Sequence, residues 1–318
     1  DGDRGQLLAT YADRIRDIRP TFFVLENVLG LFRTKKHRAF LLEVAEPLSN
    51  DYVLSLKVLN ALDYGVAQDR ERMFLVGFSK EWIISRSLAS TDDVDEIHRW
   101  GVWRRQIAPH GPTDERANGH DWFPWPLDRR YLGAKDSYSW PVTTPLGEDP
   151  AKPKDIPERL MVGSLILDQD ELRSLPNGQE GFRPKSNKFS RIAEGDVSRK
   201  SFKRLHRWRY SPTVAYGNNE VHLHPVESRR LTVREAMRLQ SVPDSYAFPH
   251  DTSLSSKFKM IGNGVPARQA QAMALAIATV LTGRLYGRTD LCPVTSGAQD
   301  SQRAHEGAAE SAGEVLSQ

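Results

Sequence analysis

Glu26 is the first residue in the chain whose placement suggests chemistry. It follows a short continuous apolar run, Phe22-Phe23-Val24-Leu25, and precedes Asn27. A carboxyl at the C-terminal end of a buried strand loses hydration of its charged form, stays partly protonated, and can donate a proton. Read alone, Glu26 is better taken as a polar residue closing a strand. Gln68, Arg70 and Arg72 come next, in Gln-x-Arg-x-Arg spacing ahead of the apolar run Met73-Phe74-Leu75-Val76. Strand alternation puts Arg70 and Arg72 on one face and Glu71 on the other, a pattern that a salt-bridged strand edge would also carry. Gly262-Asn263-Gly264-Val265-Pro266-Ala267 has the letters of a dinucleotide fingerprint but not its context. No clear strand precedes it, Pro266 interrupts it, and no acidic second strand follows. His222 and His224 would share one face of a strand and could take a metal, but no third ligand is evident, which favours structural histidines. The single cysteine, Cys292, excludes a disulfide framework and any multi-thiolate metal site, and fits a reducing, cytoplasmic setting.

These side chains need elements to hold them. Leu7, Leu8, Tyr11, Ile15 and Ile18 make one stripe of a helix over 5–19, which Pro20 stops. The run at 22–25 has the signature of a buried parallel strand. A second helix is predicted around Phe40, Leu41, Val44 and Leu48, then an alternating strand through Tyr52, Leu54, Leu56 and Val58, then another strand within 72–78. This succession means α/β architecture. After about residue 85 the pattern dissolves. Trp100, Trp103, Trp122, Trp125 and Trp140 fall among eight prolines between 100 and 153, with no helical or strand period. That stretch reads as a loop-rich insertion whose tryptophans build a small core. From Arg183 to Arg209, ten cations face two anions, a local excess larger than the +3 of the whole chain. Such a run is either a solvated face or a phosphate-binding one. Regular structure returns with Thr232-Val233-Arg234-Glu235, a capping box. It opens a helix through Ala236, Met237 and Leu239 that ends before Pro243. A last helix is predicted with Pro266 at its first position and Gly283 at its C-cap, Ala267, Ala270, Ala274, Ile277, Ala278 and Leu281 forming its apolar stripe.

With 39% hydrophobic and 27% charged residues, the chain is an ordinary globular protein, which excludes collagen, coiled coil and wholesale disorder. Its 318 residues suggest about two domains. No apolar run approaches the ~20 residues needed to cross a bilayer, so no membrane partner is expected. The chain opens Asp1-Gly2-Asp3-Arg4, without Met or a targeting segment, which predicts a fragment or a processed chain.

Asp3-Arg4-Gly5, then Phe23-Val24-Leu25-Glu26-Asn27-Val28, then Gln68-Asp69-Arg70-Glu71-Arg72, then Arg229 to Gln240 followed by Pro243-Asp244, and finally Gly262-Asn263-Gly264-Val265-Pro266 stand in a fixed order. In that order and spacing they resemble the motifs of the DNA (cytosine-5)-methyltransferase family. The resemblance covers nearly all of residues 1–283, weakly in the middle. Glu-Asn-Val alone is a weak signal; four motifs in family order are a strong one. Such enzymes attack C6 of cytosine with a thiolate, which makes C5 enamine-like, and transfer a methyl group from S-adenosylmethionine. Negative charge then develops on the ring, and N3 needs a proton donor. The resemblance implies Glu26 as that donor and Asn27 as the residue shaping its turn. It implies that Arg72 meets the flipped base or its phosphate, that Arg70 supports the loop, and that Asn263 and Val265 lie beside S-adenosylmethionine. In a chain with these motifs the basic run, with Lys200, Lys203, Arg204, Arg207 and Arg209, is expected to meet phosphates of double-stranded DNA. Ala67 stands where the family has Pro, a departure that bears on loop rigidity.

The family's glycine-rich donor loop and Pro-Cys loop are expected upstream of Asp3 and are not in this sequence. Cys292, between Leu291 and Pro293, does not match the nucleophile. The implied fold is α/β, an incomplete Rossmann-like S-adenosylmethionine-dependent methyltransferase sheet. Residues 1–85 would be the C-terminal half of the catalytic domain, 86–225 a loop-rich target-recognition region, 226–287 the returning segment, and 288–318 a disordered tail. Three arrangements fit: a fragment of a DNA methyltransferase, one subunit of a split enzyme whose complementary subunit carries the missing loops, or a non-catalytic DNA-binding partner.

Overall fold

The apolar runs of the first eighty residues assemble into one sheet. The computed structural model of the chain describes residues 3–100, 122–183, 187–213, 216 and 221–283, so Trp103, Cys292 and the expected tail lie outside the described residues. Strand β1 is Phe22–Val28, β2 is Tyr52–Asn60, the two-residue β3 is Gln68–Asp69, and β4 is Glu71–Ser79. Three of them form a sheet in the order β1-β4-β2. Strand β4 runs antiparallel to both neighbours, with Glu26 opposite Phe74 and Leu56 opposite Leu75. The parallel pairing expected for residues 22–25 is therefore corrected. A continuous apolar run reports burial on both faces and carries no information about strand direction.

Both faces are indeed buried. Tyr52, Leu54, Leu56, Met73 and Leu75 point into a core shared with helices α1 (Asp3–Ile18) and α3 (Lys35–Leu48), which flank a single turn of helix, α2 (Gly30–Arg33). Val53, Leu59, Phe74, Val76 and Phe78 point into the opposite core. Where Phe23 crosses β4 its ring lies directly over Gly77, and a Cβ there would sit 2.2 Å from the ring, so only glycine fits. Beyond β4 come helices α4 (Lys80–Ser85) and α5 (Thr91–Trp100). Trp122 and Trp125 pack on the same side of the sheet. Their indole N–H groups donate to the Leu54 carbonyl at 3.0 Å and to Ser55 Oγ at 2.9 Å.

A separate core lies among residues later in the chain. Val162, Ile166, Leu172 and Leu205 pack with Leu231, Val233, Met237 and Leu239, and with Phe258 and Ile261. Helix α6 (Val233–Leu239) begins with the capping box expected from the sequence: the Thr232 hydroxyl accepts from Glu235 N, and the Glu235 carboxylate accepts from Thr232 N at 2.8 Å. Helix α7 (Leu254–Asn263) was not anticipated. Its signals are a Ser253 cap and the buried pair Phe258 and Ile261, weak marks in a segment that starts Leu-Ser-Ser-Lys. Helix α8 (Ala267–Leu281) lays Ala272, Met273, Ala276 and Val280 on the sheet. Full burial of a side chain such as Met273 or Val280 contributes roughly 1.5–3 kcal/mol, enough to hold α8 in place. Pro266 is the extended cap before α8 (φ −54°, ψ 131°), not its first helical residue, and Gly283 closes the helix at φ +91°. No described helix is long and apolar enough to cross a membrane.

Candidate active site

Register places the two charged motifs against each other. Strand β1 presents Glu26 beside β4, where Arg72 stands opposite Val28. Arg72 Nε lies 3.0 Å from Glu26 Oε1. The contact is an ion pair, and Oε1 is closed off from solvent. Burial pushes the Glu26 carboxyl above its usual range, while the nearby guanidinium groups of Arg72 and Arg70 partly pull it back. Burial likewise lowers Arg72, against the pull of Glu26. The charges of both arginines therefore act on the same carboxyl, although Arg70 lies between β3 and β4 and outside the strand alternation. Asn27 lies inside β1, which continues through Val28, and its Oδ1 accepts from Val28 N at 2.8 Å.

Arg70 works differently from Arg72. It is 1% exposed, and its guanidinium donates to the carbonyls of Gly262 at 3.0 Å and Gly264 at 2.8 Å. Burial and the charge of Arg72 bring its pKa down to about 10, so it stays a cation at neutral pH. Gln68, two residues earlier, donates to the Leu239 carbonyl at 3.0 Å and to Gln240 Oε1 at 3.4 Å. Gln240 in turn donates to the Ile261 carbonyl at 2.7 Å and accepts from Ala267 N at its backbone oxygen at 2.9 Å. The Gln-x-Arg-x-Arg segment, the end of α6 and the C-terminal end of α7 thus form one buried hydrogen-bonded unit. Asn263 is the last residue of α7 and is exposed, and Val265, just beyond the helix, packs half-buried against the core of the sheet.

Two residues of this unit escaped the sequence reading. Gln240 is the C-cap of α6, and the motif ending there gave it no role. Asn60 ends β2, where its Oδ1 accepts from Leu62 N at 3.1 Å and Arg70 N at 3.2 Å. Its Nδ2 donates to Asp69 at 2.8 Å, and Asp69 also pairs with Lys135 at 2.8 Å. No local signal identifies such a residue before the strands are paired.

The basic run divides into buried and open cations. Arg204 is fully buried. It donates to the carbonyls of Ile192 at 2.8 Å, Phe189 at 2.6 Å and Glu227 at 2.8 Å, and to that of His224. The expectation that it meets a phosphate is corrected, because its hydrogens are spent on four carbonyls that tie two backbone segments together. Arg207 is likewise committed, to Glu194 at 2.9 Å and Asp149 at 2.7 Å. Lys200 is exposed, Lys203 is half-buried, and Arg209 lies 6.0 Å from the ring of Tyr210. His222 and His224 are both buried, and His224 sits 3.8 Å from Glu235. Among the described residues no three His, Cys, Asp or Glu side chains gather in a way that could hold a metal.

The fold and this unit define a mixed α/β protein with a half-buried carboxyl–arginine pair at a sheet edge. The model of C-5 cytosine-specific DNA methylases matches residues 1–279, and the chain belongs to that family. It is 39% identical over 292 residues to the type II methyltransferase M.NmeDI of Neisseria meningitidis serogroup C, an alignment covering 91% of this chain and 61% of that protein. It is 32% identical over 300 residues to the type II methyltransferase M.XorII of Xanthomonas oryzae pv. oryzae, covering 86% of this chain and 62% of that protein. The chain thus spans about three fifths of the length of these curated relatives. The S. pombe Dnmt2 methyltransferase structure superposes with a TM-score of 0.42 at 12% identity, over 83% of this chain and 68% of that one.

Proposed function

We propose that the protein carrying this chain is a DNA cytosine-5 methyltransferase, moving a methyl group from S-adenosylmethionine to C5 of a cytosine flipped out of duplex DNA. The observation that supports this most directly is Glu26: a half-buried carboxyl, raised in pKa by burial and held by Arg72 at 3.0 Å. An oxygen in that state keeps its proton at higher pH than a free carboxyl and can share it with N3 of the ring. Arg72 fixes the carboxyl and offsets charge as it develops. Arg70 does not reach the base; it holds the Gly262 and Gly264 carbonyls, so that the end of α7 with Asn263, and Val265 just beyond it, keeps one shape.

That helix end fits the methyl donor. An exposed amide beside a half-buried apolar side chain suits a molecule that is part charged amino acid, part apolar ring. When bound, S-adenosylmethionine supplies an electrophilic methyl group. The thiolate that activates C6 we assign elsewhere than Cys292, whose Leu before and Pro after do not match the family's Pro-Cys order. In this reading a further segment or a complementary subunit brings the thiolate and the glycine-rich loop, residues 86–225 recognise the target, and the chain by itself does not methylate.

Tritiated-methyl incorporation into duplex DNA tests this. The chain alone should give none, and addition of a fragment carrying the glycine-rich and Pro-Cys loops should restore transfer, equally so with Cys292→Ser. Transfer by the chain alone that Cys292→Ser abolishes would overturn the assignment of the nucleophile. Absence of transfer in every mixture, with DNA binding intact, would leave the non-catalytic DNA-binding reading in its place.

A further inference from the structure

Two adjacent arginines, both outside the site just described, behave oppositely. Arg229 is saturated. Its guanidinium donates to both Glu235 oxygens at 2.7 and 2.8 Å, to Glu227 at 2.9 and 3.1 Å, and to Gln169 at 3.0 Å. Arg230 has no carboxylate within 4.0 Å and no side-chain hydrogen bond among the described residues. Its guanidinium carbon lies instead 5.1 Å from the ring centroid of Phe182 and 5.8 Å from that of Phe202. Both rings are within cation–π range. Backbone pairing brings the three segments together: Leu223 bridges Arg230, Gly181 bridges Thr232, and Lys203 pairs with His222. Burial lowers the Arg230 pKa with no acid acting on it, yet a guanidinium stays charged at neutral pH.

The sequence neighbours of the two rings are also cationic. Arg183 follows Phe182; Lys200 and Lys203 flank Phe202. Arg183 and Lys200 are exposed, Lys203 is half-buried, and none of the three forms an ion pair among the described residues. A half-buried cation without an anion has lost hydration that nothing charged replaces. Two aromatic rings replace that hydration only in part. They also hold the planar fork in one orientation, the arrangement that favours bidentate contact with a phosphate.

We propose that Arg230 contacts a backbone phosphate of bound duplex DNA, at the centre of a face formed with Arg183, Lys200 and Lys203; this rests on the reading of the protein as one that acts on DNA. The duplex is the polyanion that such a face fits, and Arg204 and Arg207, buried or paired, take no part in it. One phosphate contact contributes about 0.9 to the slope of log affinity against log salt. At ~0.1 M salt that corresponds to roughly an eightfold change in affinity.

The test measures binding of the full-length protein to a set of unrelated duplexes across a salt series. Arg230→Gln should weaken every duplex roughly eightfold at ~0.1 M salt and lower the slope by about 0.9. The paired change Arg183→Ala with Lys200→Ala, at exposed positions that leave folding alone, should lower the slope by about 1.8. It stands in if the Arg230 variant does not fold. Wild-type affinity and slope in these variants would overturn the proposal. A loss confined to one sequence would also overturn it, making Arg230 a base reader. Failure of the wild-type protein to bind duplex in a salt-dependent way would instead overturn the DNA reading itself.

Discussion

Glu26 shows how burial and charge set a functional pKa between them. Burial raises the carboxyl; Arg72 and Arg70 limit the rise. In the full-length protein Glu26→Gln keeps the shape and removes the proton, so turnover should fall by about 10²- to 10⁴-fold with DNA affinity kept, checked by single-turnover assays and DNA titration. The pH dependence follows from the sign of the shift. A raised carboxyl pKa extends the protonated form upward in pH, so activity should decline as pH rises through that value. The same limb should be missing in Glu26→Gln. The identity of this residue was legible in the sequence because Glu-Asn-Val closes an apolar run. Its ion pair was not, because nothing in either motif states that β1 and β4 are neighbours, with Val28 opposite Arg72.

Helix α6 joins the site to the rest of the fold at both ends. At its start, Glu235 caps the helix and neutralises Arg229 at 2.7 Å. Burial works to raise the Glu235 pKa, but Arg229 holds it below the usual value. A depressed carboxyl pKa contributes stability that is present above the unfolded pKa and is lost as pH falls through the folded one. Glu235→Gln should therefore lower stability at pH 7 by roughly 3 kcal/mol, the low end for a broken buried pair because Arg229 keeps Glu227. The deficit should shrink in urea titrations carried to acid. At the other end, Gln240→Leu removes a donor to Ile261 and leaves Gln68 with one acceptor fewer. A cost of roughly 1–3 kcal/mol is expected in the same titrations. The capping box was legible because both of its partners lie within four residues. The role of Gln240 was not, since its partners lie 21 residues onward at Ile261 and 172 residues back at Gln68.

Over the whole molecule, net charge and accessible charge are different quantities. The sequence excess between Arg183 and Arg209 pointed to a polyanion, yet Arg204 is buried among carbonyls and Arg207 is paired with two acids. Composition sees the sign of a side chain and not the direction in which it points. The two kinds of cation should separate experimentally. Arg204→Met should lower the melting temperature, since four carbonyl acceptors lose their donor, and change DNA salt slope only in step with unfolding. Lys200→Ala should leave the melting temperature unchanged and lower the slope by about 0.9, measured across a salt series. The sheet was legible for a related reason: apolar runs report burial well. Strand direction, which depends on the connections and not on the runs, was not.

The contact between Arg70 and Gly264 spans 194 residues, and that between Gln68 and Leu239 spans 171. At ~5–20 residues per second of synthesis, roughly 10–40 seconds separate the emergence of the two ends. During that interval β1 and β4 can already pair, while the Arg70 guanidinium waits in water for carbonyls not yet made. The hydrogen-bonded unit around Arg70 is therefore closed only when residues 239–264 arrive, well after the sheet that carries Glu26 can form.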